Sequence, residues 1–489
     1  MEKNSLLMQY FEWYLPNEGE HWINLQNDVD HLYEIGVDHI WLPPFCKATS
    51  VNDVGYGIYD LWDLGEFNQS GTVRTKYGKK EDLLKAIQLL TQKDILPIAD
   101  LVINHKAYAD GKEKFHVMKV NPENRQEMIS DPYEIEGWTH FYFPGRGGKY
   151  SDFEWHWYHF SGIDYDATNN EEGVYLILGD EKGWADDQSV DSTYGNYDYL
   201  MFADIDFSHP EVRQHIKQWL NWMVNETGVR GLRFDALKHI DSHYIKELCE
   251  EINQTQGDDF YLIGEYWNPD LANNLDYLDS IDYQLDLFDV GLHMNLYQAS
   301  QAGNQYDLSQ IFAGSLVEDN PLLSVTFVNN HDTQLEQSLE SRVEDWFIQH
   351  AYALILLRQQ GLPTLFYGDY YGVQNGEKSP SYQEKIDPLL HLRKYHTYGE
   401  QVDYFDHQNT IGWTCLGTQE HPYGIAVVMT NGDAGFKEMT MGELNAGAIY
   451  VDYLNNHSGK VELDGQGRGI FPVNQASVSV WIDEKAIWD

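Results

Sequence analysis

Three carboxylates, Asp235, Glu265 and Asp332, each stand at or just past the end of an apolar, strand-like segment, and a fourth polar stretch runs from Asp100 to His105. Two carboxyl groups about 5–5.5 Å apart can hydrolyse a glycosidic bond with retention: one attacks the anomeric carbon while the other protonates the departing oxygen. The attacking group must stay ionised. Arg233, two residues before Asp235, would lie on the same face of a strand and supply a cation to hold it so. The acid needs a raised pKa and therefore a drier setting, which Gly264 and the pair Tyr266-Trp267 offer Glu265. On residue type alone, Arg233 and Asp235 also fit an ion pair that merely closes a strand end, and spacing does not choose between the two.

Such groups meet only if a scaffold brings distant strand ends to one mouth. Strands are expected at 6–14, 38–45, 95–105, 229–235, 260–266, 283–288, 324–330 and 363–367. Helical periodicity separates several of them, as in Trp22–Gly36, 81–93 and 343–360. Ser208 is a candidate N-cap, with Pro210 in the first turn of a helix through Val212, Ile216, Trp219 and Met223. Eight alternating strands predict an α/β fold, a (β/α)8 TIM barrel over 1–105 and 206–396, with catalytic residues at the C-terminal strand ends. An inserted, irregular, β-rich domain would span 106–205, after the third strand, and an antiparallel β-sandwich 397–489. Asp235 and Glu265 are 30 residues apart and Asp332 lies 67 further on, about one and two βα units, so all three can face one pocket.

The formal net charge of −46 argues against nucleic acid and anionic membranes as partners; a neutral polymer is indifferent to it. That charge suits solubility, and a salt-rich setting is the alternative. Cys46, Cys249 and Cys415 are too few and scattered for a disulfide framework and fit a reducing compartment. The N-terminal segment from Met1 is broken by Gln9 and Glu12, too short and polar for a signal peptide. A cytoplasmic monomer is expected, or else a mature form stripped of its leader.

The segments DLVINH (100–105), GLRFDALKH (231–239), GEYW (264–267) and FVNNHD (327–332) resemble, in order and separation, four short regions of the α-amylase family. The likeness runs from FEWY (11–14) into the C-terminal β domain. Within the family the chain is most similar to bacterial cytoplasmic α-amylases and their secreted liquefying relatives, through GYGIYDLWDLGEF (55–67), TKYG (75–78) and GNYDYLMFADIDF (195–207). The resemblance implies retaining endo-hydrolysis of α-1,4 bonds in starch, glycogen and malto-oligosaccharides. It makes Asp235 the nucleophile, oriented by Arg233, Glu265 the general acid/base, and Asp332 the group that grips sugar hydroxyls and stabilises the oxocarbenium-like transition state. His105 and His331 would hydrogen-bond the sugar at the cleavage point and Tyr56 would stack on it, with Trp13 and Tyr14 among the substrate-binding aromatics. Lys238, His239 and Trp267 would contact the leaving side. For the aromatics, plain packing is the competing reading.

Asp186, Asp187, Asp191, Asp198, Asp204 and Asp206 crowd one end of the insertion. Hard oxygen clusters of this type suit Ca²⁺, although a chain with 78 acidic residues also forms them by chance. The resemblance assigns a structural calcium to Asn104, Asp198, Asp204 and the His239 backbone carbonyl. The secreted relatives add a second calcium and a sodium; Ser161 and Ser208 stand here where those carry aspartates, so one calcium is expected and the further sites weakened or lost. A transglycosylase, an enzyme for short or α-1,6 substrates, and a non-catalytic carbohydrate-binding protein remain alternatives. The last should have lost a carboxylate, and all three are present.

Overall fold

The computed structural model describes residues 4–257 and 259–487, so Met1 to Lys3 and the last two positions of the expected C-terminal domain lie outside the described residues. Eight parallel strands close into a barrel: β1 (Leu7–Gln9), β2 (His39–Trp41), β3 (Leu96–Leu101), β4 (Gly231–Phe234), β5 (Tyr261–Gly264), β6 (Asp286–Phe288), β7 (Ser324–Phe327) and β8 (Leu362–Phe366). Each pairs with the next and β8 returns to β1. All eight fall inside or within one residue of the expected segments. Their side chains are nearly all buried, as befits strands packed between barrel interior and helices. Helix His21–Glu34 ends where Gly36 takes φ 94°, a left-handed value that glycine adopts without strain.

Two local expectations need correction. Ser208 does not cap the helix Pro210–Thr227; its hydroxyl donates to Asp206 at 2.5 Å, and His209 precedes the helix with no side-chain cap. The stretch 343–360 is helical only over Ile348–Leu356. Its early N–H groups are claimed by other segments, Val343 by Asn329 at 2.9 Å and Glu344 by Ser300 at 3.1 Å. Its later carbonyls are held by the Arg393 guanidinium and the Trp413 indole. Tertiary hydrogen bonds thus hold both ends of the stretch outside the helix.

The segment after β3 forms a seven-stranded antiparallel sheet. Its entry strand His105–Lys106 pairs with its exit strand Ala203–Ile205, His105 opposite Asp204, so the insertion is closed at its neck beside the barrel mouth. Beyond the barrel, a six-stranded antiparallel sheet and a two-stranded one enclose Val428, Met439, Phe471, Val473 and Trp481. Cys46, Cys249 and Cys415 are buried and unpaired. Among the described residues no helix is long and apolar enough to cross a membrane.

Candidate active site and metal centre

The register of β3, β4 and β5 builds the mouth. Arg233 sits directly opposite Asp100 on β3 and Ile263 on β5. The Arg233 Nη1 donates to Asp100 at 2.9 Å and to Asp235 at 2.6 Å, and its Nη2 lies 3.9 Å from Glu265. The guanidinium is buried and lies over the Trp41 ring. Asp235 follows the last residue of β4, and Ala236 then takes a left-handed φ of 54°. That turn aims the Ala236 N–H at Glu265 Oε2, 3.0 Å away. Asp332 follows β7, with its carboxylate 3.3 Å from the His331 Nε2. His331 is placed in turn by Gln9, whose Nε2 lies 2.9 Å from His331 Nδ1.

Two buried carboxyls, Asp100 and Glu265, and two partly exposed ones, Asp235 and Asp332, therefore surround one permanent cation. Burial, with repulsion from Asp235 and Asp332, overcomes Arg233 and pushes Glu265 up to about 8. Asp332 rises to about 7 through burial and the nearby Asp235 and Asp100, and Asp100 to about 6 through burial and Asp235. Arg233 itself is held charged by Asp100 and Asp235 against the cost of its burial. The mouth thus pairs a carboxyl in close ionic contact with Arg233 with one that keeps its proton at neutral pH, the division of labour an acid and a nucleophile need.

The flanking residues fall into two groups. Trp13, Tyr56 and His331 stand as three nearly parallel rings around one another, with centroids 6.1 Å apart for Trp13–Tyr56, 6.0 Å for Trp13–His331 and 5.1 Å for Tyr56–His331. The Tyr56 hydroxyl donates to Asp100 at 2.9 Å and the Tyr56 carbonyl accepts from His105 Nε2 at 2.8 Å, so these rings, His105 and the carboxylates form one network. Burial lowers the pKa of both His105 and His331, leaving them neutral donors. Tyr14 turns elsewhere: its hydroxyl donates to the Leu335 carbonyl at 2.5 Å and its ring lies under Lys378. On the far side, the Lys238 Nζ reaches the Trp267 carbonyl at 3.4 Å and the His239 Nδ1 the Tyr197 carbonyl at 2.7 Å. Trp267 packs on Phe327 and His293. Asp100 and Gln9 were given no role from sequence. The polar stretch that Asp100 opens at the end of an apolar segment was the available signal; Gln9 carried none.

The acidic cluster at the neck differs. Asn104 and Ser161 both donate to the Asp204 carboxylate, the former at 3.3 Å, and the Ala185 N–H donates to Asp198 at 3.0 Å. Burial, with Asp206 and Asp241 close by, pushes Asp198 up to about 7, and burial with Asp198 and Asp206 raises Asp204 well above the carboxylate range. Among the described residues no lysine or arginine forms an ion pair with Asp198 or Asp204. Buried oxygens of one sign, mutually repelling, fit a hard dication. Asp206 is already compensated: the Lys182 ammonium, with its side chain 5% exposed, lies 2.6 Å from it and 2.9 Å from the Phe160 carbonyl. Asp187 is occupied by the amides of Gln126 and Asn196 at 2.7 and 2.8 Å. Lys182 was not anticipated from sequence.

Comparison with known proteins points to one family. A family profile described as the alpha amylase catalytic domain matches residues 21–409. A glucan 1,4-alpha-maltohexaosidase of Bacillus sp. (strain 707) is 46% identical over 98% of this chain and 93% of its own length. An alpha-amylase of Bacillus licheniformis is also 46% identical, with the same coverage. The cytoplasmic alpha-amylase of Escherichia coli (strain K12) is 41% identical over 99% of this chain and 100% of its own. Among solved structures, an alpha-amylase from Geobacillus thermoleovorans complexed with acarbose superposes with a TM-score of 0.66 at 17% identity, covering 98% of both chains; that likeness bears on the fold alone.

Proposed function

The chain belongs to the α-amylase family of glycoside hydrolases acting on α-1,4-glucans, and we propose that it hydrolyses internal α-1,4 bonds of starch, glycogen and malto-oligosaccharides with retention of configuration. Asp235 attacks the anomeric carbon. Glu265, protonated at neutral pH, gives its proton to the departing oxygen, then takes one from the water that releases the glycosyl-enzyme. Asp332 grips hydroxyls of the reacting sugar and stabilises positive charge as it develops. Arg233 orients Asp235 through their contact at 2.6 Å. His105 and His331 hydrogen-bond the same sugar, His331 through its Nε2, Tyr56 and Trp13 offer a face for stacking, and Lys238, His239 and Trp267 line the leaving side; Tyr14 borders the site. The observation carrying this reading is the single Arg233 guanidinium that contacts Asp235 at 2.6 Å and lies 3.9 Å from Glu265.

The chain divides in this reading into a barrel (1–105 and 206–396), the inserted domain (106–205) and a C-terminal β-sandwich (397–489). One calcium is held by Asn104, Asp198, Asp204 and the His239 carbonyl, where it would neutralise the neck cluster and fix the insertion beside the mouth. Lys182 on Asp206 supports one ion rather than several. We place the protein in the cytoplasm as a monomer, acting on glycogen or maltodextrin. Incubation with soluble starch and maltoheptaose, with anomers followed by NMR, tests the activity. The α-anomer should appear first and polymer length should fall early. Initial β-anomer would refute retention, and unchanged polymer length would refute endo-cleavage.

A further inference from the structure

The inserted domain carries a second cluster of ligating side chains, none of them among the carboxylates of the neck. Phe141 and Trp155 form an antiparallel bridge and are both buried. That register sets His140 opposite His156 and Tyr142 opposite Glu154, all on the face turned away from the core. The imidazoles of His140 and His156 lie nearly parallel with centroids 4.6 Å apart. The Glu154 Oε2 is 2.9 Å from His140 Nε2 and 4.0 Å from His156 Nε2, and one ligand atom from each of the three lies within 4.8 Å of the others.

We propose that His140, Glu154 and His156 form a binding site for one divalent transition-metal ion of the zinc class, with Glu113 orienting His156. Two imidazole nitrogens and one carboxylate oxygen suit Zn²⁺, Co²⁺ or Ni²⁺ and not Ca²⁺, which takes oxygen. Three protein ligands leave a fourth position to water. The outer partner is in place: Glu113 Oε1 lies 2.9 Å from His156 Nδ1. A carboxylate accepts, so Nδ1 carries the proton and the Nε2 lone pair is free for a metal, the arrangement by which carboxylates fix metal-binding imidazoles. Glu113 is itself held by the Thr139 hydroxyl and the Trp157 N–H, both at 2.8 Å. The side chains of His140 and His156 are about 30% exposed, which gives an ion a route in.

A neighbouring trio, His159, His209 and Glu211, is equally compact but unsuited. His159 Nδ1 accepts the His156 N–H at 3.0 Å, so its Nε2 must carry a proton, aimed at Glu211 3.3 Å away. No lone pair remains toward that trio. The proposed ion would instead tie the end of strand Tyr133–His140 to the segment 154–156 and clip one edge of the inserted sheet.

The protein stripped with chelator and resupplied with saturating CaCl₂, so that oxygen sites are filled, is titrated with ZnCl₂ by calorimetry. One Zn²⁺ is expected, at micromolar affinity or tighter, with a rise in melting temperature. His156→Ala and Glu154→Gln should each weaken binding at least tenfold, and Glu113→Gln by about 10–100-fold, with starch hydrolysis in calcium alone unchanged. Should His156→Ala misfold, Glu154→Gln at its half-exposed position decides the matter. Absence of Zn²⁺ binding by the wild type, or wild-type affinity in both ligand variants, would overturn the site.

Discussion

The mouth and the neck are both clusters of carboxylates beside the end of β3, yet they are compensated in opposite ways. At the mouth a covalently fixed cation, Arg233, contacts Asp100 and Asp235 and leaves Glu265 and Asp332 with raised pKa values. At the neck the only fixed cation in contact, among the described residues, is Lys182 on Asp206, and Asp198 and Asp204 repel each other without one. A fixed cation suits catalysis, because it pairs with one carboxylate at close range while Glu265, farther from it, keeps its proton at neutral pH. An exchangeable dication suits a staple, because two carboxylates and neutral oxygens give it a site and its departure loosens the joint. In the proposed reading the same residue type serves chemistry in one place and cohesion in the other, according to what stands opposite it.

The largest effect separates the two. Asp235→Asn removes the carboxylate of the proposed nucleophile at constant volume and leaves Arg233 its contact with Asp100 at 2.9 Å. Turnover of maltoheptaose should fall on the order of 10⁴-fold or more, with melting temperature and calcium stoichiometry unchanged. A large fall in melting temperature would show that the mouth, too, is a structural joint.

Lys182→Met should blur the comparison by making the neck wholly dependent on metal. Losing one partner of a buried ion pair costs about 3–5 kcal/mol, since Asp206 would stay buried and uncompensated. In chelator the variant should melt well below the wild type, and the gap should narrow as calcium is added, because the freed Asp206 then joins Asp198 and Asp204 around a second ion. Equal calcium dependence in the two proteins would show that Lys182 does not stand in for a cation.

Asp204→Asn sharpens it from the other side. The variant should lose the calcium-dependent part of its stability, about 2.7 kcal/mol where calcium is at a hundredfold excess over the dissociation constant. Its melting temperature should then be the same with calcium as with chelator. Activity should fall only as far as the insertion loosens, and an undiminished calcium response would remove Asp204 from the site.

What was legible in the sequence follows the same division. Barrel strands announce themselves as short apolar runs between helical periods, because burial on both faces leaves little choice of residue. Polar residues at their ends stand out against that background, so Asp235, Glu265 and Asp332 could be picked out before any fold was known. Roles set by partners distant in sequence were not legible. Lys182 looks like any lysine in a loop, and only the fold carries its ammonium to Asp206. Gln9 looks like a strand residue until His331 arrives beside it. The expected helix over 343–360 is shortened at both ends, where Asn329 and Ser300, and Arg393 and Trp413, bind its backbone from segments distant in sequence.

The smallest effect concerns the cost of the mouth's arrangement. Glu265 has its pKa raised from 4.5 to about 8, so between those values the unfolded chain has released a proton that the folded one retains. The folded state binds more protons there, and the contribution of this group to stability falls as pH rises through that window, levelling off once Glu265 ionises in the fold. Glutamine does not titrate. Glu265→Gln should therefore lose about 10²–10⁴-fold in turnover and gain melting temperature relative to the wild type as pH rises from 5 toward 8, by a few degrees at most in a chain of this size. The wild-type kcat/KM should decline as pH rises through about 8, when the acid loses its proton. Calorimetric melts of both proteins across this range, at constant calcium, decide the point: a melting-temperature difference independent of pH would mean that Glu265 is ionised in the resting mouth, and that Arg233 compensates it as fully as it does Asp235.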